Sequence, residues 1–195
     1  MANSNTLYPV FIKLENMQVL LVGAGNVALE KLQSLLGNSP AAKITVVAPF
    51  VREELRFFLK DYPKCKLIER GFEGTDLEEK NIVVCATDNP ALHQQIKTLA
   101  NAKGLLVNVA DTPPLCDFYL GSIVQKGSLK IAISTDGKSP TIAKRVKEVL
   151  NETLPDEIDS LLQNMQDIRN KMSGNFAEKV KQLNELTKGL VDPEK

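Results

Sequence analysis

Met17-Gln18-Val19-Leu20-Leu21-Val22-Gly23-Ala24-Gly25-Asn26-Val27-Ala28 decides the fold of this chain. Residues 19–22 are an apolar run that reads as a buried parallel strand, and the run meets Gly-x-Gly-x-x-Ala. There Gly23 permits the tight turn, Gly25 lets the backbone approach a pyrophosphate, and small Ala28 lets the next helix pack close to the strand. The pyrophosphate would rest on the helix N-terminus, where backbone N–H groups and the helix dipole favour an anion. The glycines alone are a weak signal, since Gly-rich turns occur in many folds. Their setting strengthens it: a strand before, a helix-compatible stretch at 27–36, and a second strand at 44–48, at βαβ spacing. Gly23, Gly25, Asn26 and Val27 are the candidate cradle.

Alternation continues through the first half. Residues 51–59 place Leu55, Phe58 and Leu59 at helical spacing, and 66–70 form a short extended piece. Residues 81–86 are a continuous apolar run. A helix over 90–103 starts with Asp88 or Asn89 as N-cap and Pro90 in its first turn. Residues 105–109 close the series as a fifth parallel strand. Such alternation predicts right-handed crossovers and a doubly wound sheet, with ligands at the carboxyl ends of the strands near the point where strand order reverses.

After Asp111 the pattern changes. Residues 121–126 and 129–134 flank Gly127-Ser128 and read as an antiparallel hairpin. Pro140 opens a helix with Ile142, Val146, Val149 and Leu150 on one face. Pro155 interrupts, and amphipathic helices follow at about 157–172 and 176–187, with Gly174 between them. A hairpin plus one helix cannot bury both faces alone, so this segment is expected to pair with its twin in a homodimer, with the C-terminal helices covering the result. The fold class is therefore α/β: a Rossmann-type doubly wound parallel sheet (1–112), a small α+β dimerisation segment (113–150) and a C-terminal helical part (151–195).

Composition narrows the function. The apolar fraction of 43% suits a globular protein. No segment approaches the roughly 20 apolar residues of a membrane span and residues 1–6 are polar, so the expected location is the cytoplasm. Cys65, Cys85 and Cys116 have no CxxC pairing, which argues for reduced, partly buried thiols over a disulfide framework or a zinc site. Net charge is zero overall. Yet residues 126–147 hold Lys126, Lys130, Lys138, Lys144, Arg145 and Lys147 against Asp136 alone, which favours an anionic ligand over a merely solvated face only if other features agree. Aromatic residues make up 5% and there is no Trp, a poor composition for binding single-stranded nucleic acid.

Several residues could carry chemistry. A common NAD site has an acidic residue at the end of the second strand, bonded to the ribose. Here Ala48 and Pro49 border the cofactor instead, leaving the ribose to backbone groups or to Asn26 or Glu53. Arg52 could meet a 2′-phosphate, but it lies past Pro49 and reads as a solvated arginine at a helix start. Thr87 and Asp88 end the fourth strand on the ligand edge. Asp111 ends the fifth strand with no helix after it to cap, which makes it the best candidate for a chemical carboxylate, against an Asx-turn role ahead of Pro113-Pro114. His93, the sole histidine, falls inside a helix four residues before Lys97 and reads as a surface residue. A lone imidazole cannot build a His-based metal centre, and no metal ligand set is fixed. Residues 134–140 suit a phosphate- or carboxylate-binding loop, or equally a turn and helix cap.

Taken in order, Tyr8-Pro9-Val10-Phe11, the stretch from Gly23 to Lys31, Ala86-Thr87-Asp88-Asn89, Asn108-Val109-Ala110-Asp111, residues 118–123 and the loop from Ser134 to Pro140 resemble the precorrin-2 dehydrogenase / sirohydrochlorin ferrochelatase family, including the N-terminal module of siroheme synthase. The likeness runs through nearly the whole chain. It implies NAD as cofactor, a homodimer, and oxidation of precorrin-2 to sirohydrochlorin in siroheme biosynthesis, with ferrous-iron insertion as a second activity in many members. The chain is too short to hold a methyltransferase module as well. The resemblance gives Asp111 the central role, as acid/base in dehydrogenation and as acceptor of pyrrole protons during chelation. Nicotinamide would lie beside Thr87 and Asp88. Asn108, Thr135, Lys138, Ser139, Lys144 and Arg145 are the candidate contacts to the polycarboxylate tetrapyrrole.

The chain departs from the family pattern at Gly121, at Cys116-Asp117, at Thr135, where a serine is usual, and at Glu30, where a basic residue is usual. These departures leave chelation open. The alternatives are a dehydrogenase without chelatase activity, or a non-catalytic dinucleotide sensor reporting redox state.

Overall fold

The structure, a computed structural model, describes residues 5–188; residues 1–4, within the polar start, and 189–195 lie outside the described residues. Strands β1 (Gln18–Val22), β2 (Lys43–Val47), β3 (Lys66–Ile68), β4 (Ile82–Cys85) and β5 (Leu106–Val109) alternate with helices α1 (Asn26–Asn38), α2 (Glu53–Leu59) and α3 (Pro90–Ala102). All five strands are parallel, in the order β3-β2-β1-β4-β5. Connections leave β1 toward β2 on one side, while β4 docks on its other side. The strand order therefore reverses between β1 and β4, as a doubly wound sheet requires.

Strand alternation divides the core into two layers. Val19, Leu21, Ile44, Val46, Ile82 and Val84 face Leu32, Leu35 and Leu36 of α1 and Leu55 of α2. Leu20, Val22, Val83, Cys85, Val107 and Val109 face Ile96 and Ala100 of α3. A strand covered on both faces has no use for polar residues, which is why β1 and β4 read as unbroken apolar runs. At the start of α3, Asn89 and not Asp88 is the cap: its side chain accepts from the Leu92 N–H at 3.1 Å.

Between β3 and β4 no α-helix forms. A 3₁₀ turn, Gly74–Leu77, takes its place and buries Leu77 in the layer under α3. Polar bonds hold this turn. Arg70 donates from two guanidinium nitrogens to Asp76, at 2.7 and 2.8 Å, and the Glu73 N–H donates to Asp76 Oδ2 at 2.9 Å. Asp76 is nearly buried, and Arg70 holds its carboxyl below the ordinary aspartate value, hydrogen bonding outweighing the cost of desolvation.

Contacts divide the chain into two compact units, Met1–Leu120 and Gly121–Lys195. Residues 113–120, read from sequence as the start of the dimerisation segment, stay with the first unit because they bond back to β5. The Asp117 N–H donates to Val107 O at 2.7 Å, and Asp117 Oδ2 accepts from the Val107 N–H at 2.9 Å.

The second unit holds the hairpin β6 (Ser122–Lys126) and β7 (Leu129–Ile133), followed by α4 (Pro140–Thr153), α5 (Ile158–Lys171) and α6 (Phe176–Thr187). Helix α4 packs chiefly on β6. Val124 and Ala143 are the fully buried apolar residues here among those described. The start of α5 pins the hairpin turn: Asp159 Oδ1 accepts from the Ser128 N–H at 2.6 Å, and Asp156 pairs with Lys126. No described helix is long and apolar enough to cross a membrane.

The Arg70–Asp76 pair yields a stability test. Asp76→Asn should lower the unfolding free energy by about 2 kcal/mol at pH 7, as expected for loss of a hydrogen-bonded charge pair. Because the native carboxyl titrates below its unfolded value, the stabilisation is present above the unfolded value and is lost as pH falls through the native one. Urea melts followed by circular dichroism should therefore show the gap between wild type and variant closing only in strong acid. A gap independent of pH would contradict the assignment.

Candidate active site

Parallel strands bring their carboxyl ends to one edge, and the candidate residues of the first unit gather there. Gly23 begins the loop after β1 with φ +113°. A Cβ at this position would overlap the Ala86 carbonyl at the end of β4 and stand 3.2 Å from Thr87 Cγ2. Only glycine fits both the backbone and the space. Gly25 differs: a Cβ there would meet nothing within 4 Å. The opening beside Gly25 is room for a ligand backbone-close to the loop. Gly25 also caps α1 without a side-chain bond, and among the described residues nothing accepts from the N–H groups of Asn26, Val27 and Ala28. A pyrophosphate fits this cradle on charge, hydrogen bonding and space.

The second strand delivers no carboxylate to the ribose position. Ala48 is buried with its N–H on Ile68 O, and Pro49 is exposed. The chain then turns back so that the Arg52 N–H donates to Ala24 O, inside the glycine loop, at 3.2 Å. Arg52 stands at a helix start as expected, yet it is held and not merely solvated. Its Nη1 donates to Asn26 Oδ1, while Nε and Nη2 donate to the two oxygens of Glu54, at 3.1 and 2.8 Å. The Arg52 hydrogen bonds, a backbone bond and the guanidinium charge hold the Glu54 carboxyl at about 2. Glu53 turns instead to Arg56, 3.4 Å away.

At the end of β4, Thr87 Oγ1 accepts from the Asn89 N–H at 3.3 Å and lies 2.8 Å from His93 Nε2. His93 is 4% exposed, which corrects its reading as a surface histidine. It shares the inward face of α3 with Ile96 and Ala100, three and seven residues on, a spacing that was available in the sequence. Burial lowers its pKa against the opposing pull of the Thr87 backbone and Asp88. A neutral ring lets Nε2 accept the Thr87 hydroxyl hydrogen. Asp88 is exposed beside it.

At the end of β5, Asp111 adopts φ +56° and is exposed, and its carboxylate has no hydrogen bond or ion pair with any described residue. Its neighbours are committed elsewhere. Asn108 is buried and donates its amide to Phe118 O at 2.8 Å. Asp117 pairs with Lys97 at 2.5 Å. Cys116 Sγ lies 3.2 Å from both the Val109 N–H and the Val109 carbonyl. The departure at Cys116-Asp117 thus fastens this segment to β5. Burial pushes the Cys85 thiol up to about 12 and raises Cys65 and Cys116, so all three are poor nucleophiles. Among the described residues no group of His, Cys, Asp or Glu is arranged to hold a metal.

In the second unit the 134–139 loop spends its hydroxyls on itself. Thr135 Oγ1 accepts from the Ser139 N–H at 3.2 Å and donates to Ser139 O at 3.1 Å, while Ser139 Oγ caps α4 at the Ile142 N–H. Arg145 pairs with Glu148, and Lys138 with Asp136. Lys144 and Lys147 have no ion pair among the described residues. Gly121, another departure, lies so close to Ile133 O that a Cβ would overlap it.

A family model described as "Putative NAD(P)-binding" matches residues 10–122, and a second, "Sirohaem biosynthesis protein central", matches residues 126–152. Siroheme synthase of Psychrobacter cryohalolentis is 36% identical over 174 residues, which are 89% of this chain and 31% of the relative. Siroheme synthase of Pseudoalteromonas translucida is 38% identical over 174 residues, 34% of its length. The chain thus spans about a third of the length of these curated relatives. The solved structure of SirC, a precorrin-2 dehydrogenase, superposes with a TM-score of 0.72 at 26% identity, over 96% of this chain and 91% of that one. With the first model covering more than half of its length, the chain belongs to the "Putative NAD(P)-binding" family, and the segment that follows matches the central part of sirohaem biosynthesis proteins.

Proposed function

We propose that this chain is an NAD-dependent precorrin-2 dehydrogenase, acting in the cytoplasm. One observation carries the reading: Asp111 stands without a partner, in a left-handed backbone, on the same sheet edge as the glycine cradle. NAD, when bound, accepts a hydride. Gly23, Gly25, Asn26 and Val27 hold its pyrophosphate, and Thr87, oriented by His93, borders the nicotinamide with Asp88. Asp111 takes the proton that leaves the macrocycle as the hydride departs, so substrate and NAD yield sirohydrochlorin, NADH and one proton. Asn108 acts from behind, fixing β5 to Phe118. SirC supports the substrate class through a likeness that extends over nearly both chains.

The same carboxylate suits a second reaction with ferrous iron as substrate, in which it would remove pyrrole protons as metal enters. In the second unit Lys144, with Lys138 and Arg145 loosely paired at the surface, offers cations to the tetrapyrrole carboxylates; Thr135 and Ser139 shape the loop before them. Ile142, Val146 and Val149 lie exposed along α4. That face is where we place the homodimer contact, since an apolar helix stripe left in water is unfavourable.

Asp111→Asn should lower the rate of precorrin-2 oxidation by about 10²–10⁴-fold, the usual worth of a positioned acid/base group, with NAD affinity unchanged. The readout is the absorbance change of precorrin-2 with NAD; near-normal turnover would remove Asp111 from the reaction, and no change with wild type would favour the sensor. Neutralising Lys138, Lys144 and Arg145 together should weaken substrate binding and flatten its dependence on salt. In sedimentation, Val146→Glu should convert a dimer to monomer; a wild-type monomer at all concentrations would refute the α4 contact.

A further inference from the structure

The strand that ordinarily supplies the ribose-binding acid ends here in Ala48-Pro49, and a carboxylate linked to the glycine cradle arrives by another route. Arg52 is tied to the loop twice, through its N–H on Ala24 O and through Nη1 on Asn26 Oδ1. It presents Glu54, whose two oxygens both accept from the guanidinium. Asn26, Arg52 and Glu54 therefore form one connected group bridging the starts of α1 and α2, beyond the carboxyl ends of β1 and β2. In a sheet of this order that is the side on which the adenosine half of a dinucleotide lies.

From this geometry, and resting on the dinucleotide reading above, we infer that Glu54, clamped by Arg52, selects NAD over NADP by reading the adenosine ribose hydroxyls and repelling a 2′-phosphate. A carboxylate accepts hydrogen bonds from a vicinal diol but faces a phosphate as a like charge. Arg52 does not offset that repulsion. Of its five N–H donors, two are spent on Glu54 and one on Asn26, and its charge is already compensated. A 2′-phosphate would have to displace Glu54 to use the guanidinium. Removing the carboxylate reverses the situation: Arg52 stays anchored to Asn26 and Ala24, now with an uncompensated charge and a free two-donor edge, which is the geometry that binds phosphate. Glu54 is a specificity-determining residue at this site, and its negative charge acts against the wrong ligand as much as for the right one.

Titration calorimetry with NAD and with NADP, on the whole chain without substrate, tests the inference. Wild type should bind NAD at least about tenfold more tightly than NADP, a modest share of what like-charge contact costs at fully desolvated interfaces. Glu54→Gln should tighten NADP binding by about tenfold, and adding Arg52→Ala to Glu54→Gln should abolish that gain. Glu53→Gln, with the same charge change on the same turn but directed at Arg56, should leave the NAD to NADP ratio as in wild type. If wild type binds NAD but Glu54→Gln leaves the ratio unchanged, or Glu53→Gln shifts it equally, the inference falls and the dinucleotide reading survives. If wild type binds neither nucleotide, both fall.

Discussion

The site depends on one close crossing, where the loop after β1 passes over the end of β4 with no room for a side chain between them. Three backbone bonds hold the crossing: the Gly23 N–H on Val47 O, the Ala86 N–H on Val22 O, and the Arg52 N–H on Ala24 O. Each ties the loop to a different neighbour. The N–H groups at the start of α1 are thereby left pointing to ligand space while the loop itself cannot drift. Thr87 is bound to the same crossing, since a Cβ at position 23 would stand 3.2 Å from its methyl group. An anion cradle and the polar rim of β4 are set by one packing constraint.

The two units are stabilised by different physics. The first buries continuous apolar strands between helices on both faces, and burial of this kind, at roughly 25 cal/mol per Å², needs few polar aids except at the helix-free crossover. The second buries little among its described residues and leans on charge. Asp156 and Asp159, at the start of α5, answer Lys126 and the Ser128 N–H in the hairpin turn. The acidic C-terminal part thus neutralises a fraction of the basic segment that precedes it. The surplus available to an anion is smaller than the sequence suggests and centres on α4, where Lys144 has no carboxylate beside it. Such exposed pairs contribute little stability each, which leaves this unit with much to gain from covering its apolar α4 stripe.

What the sequence made legible was whatever periodicity or stereochemistry alone dictates. Gly23 needs a positive φ, β1 and β4 need two apolar faces, Pro90 and Pro140 start helices, and Gly127 turns a hairpin; each leaves a local mark. What escaped depends on partners distant in sequence. Nothing local says that Arg52 reaches back 26 residues to Asn26 and carries Glu54 with it. In the sequence Asp117 stands out only as a departure from the family pattern, and in the fold it is a strut to Lys97 and Val107. His93 does leave a local mark: its spacing with Ile96 and Ala100 places it on the inward face of α3. The 113–120 segment joined the first unit for the same nonlocal reason as Asp117, because it zips back along β5.

Asp111 combines a left-handed backbone and an unpaired carboxylate with a place at the edge of the sheet where the glycine cradle lies. A left-handed backbone costs a non-glycine residue of order 1 kcal/mol or more, although aspartate tolerates it better than most. Glu79 and Asp136 share that conformation, also in turns; Lys138 offsets the Asp136 charge, and Glu79 precedes β4, at the opposite end of the sheet from the glycine cradle. Asp111 gains no such compensation: its carboxylate is unpaired, and the bonds nearby, from Asn108, Cys116 and Asp117, fasten the backbone on either side without using it. A turn ahead of two prolines could be built around asparagine or glycine at lower cost. A fixed backbone that presents a free carboxylate at the sheet edge is what a proton acceptor requires, since the group must meet its substrate already oriented and must not be occupied by the protein that holds it.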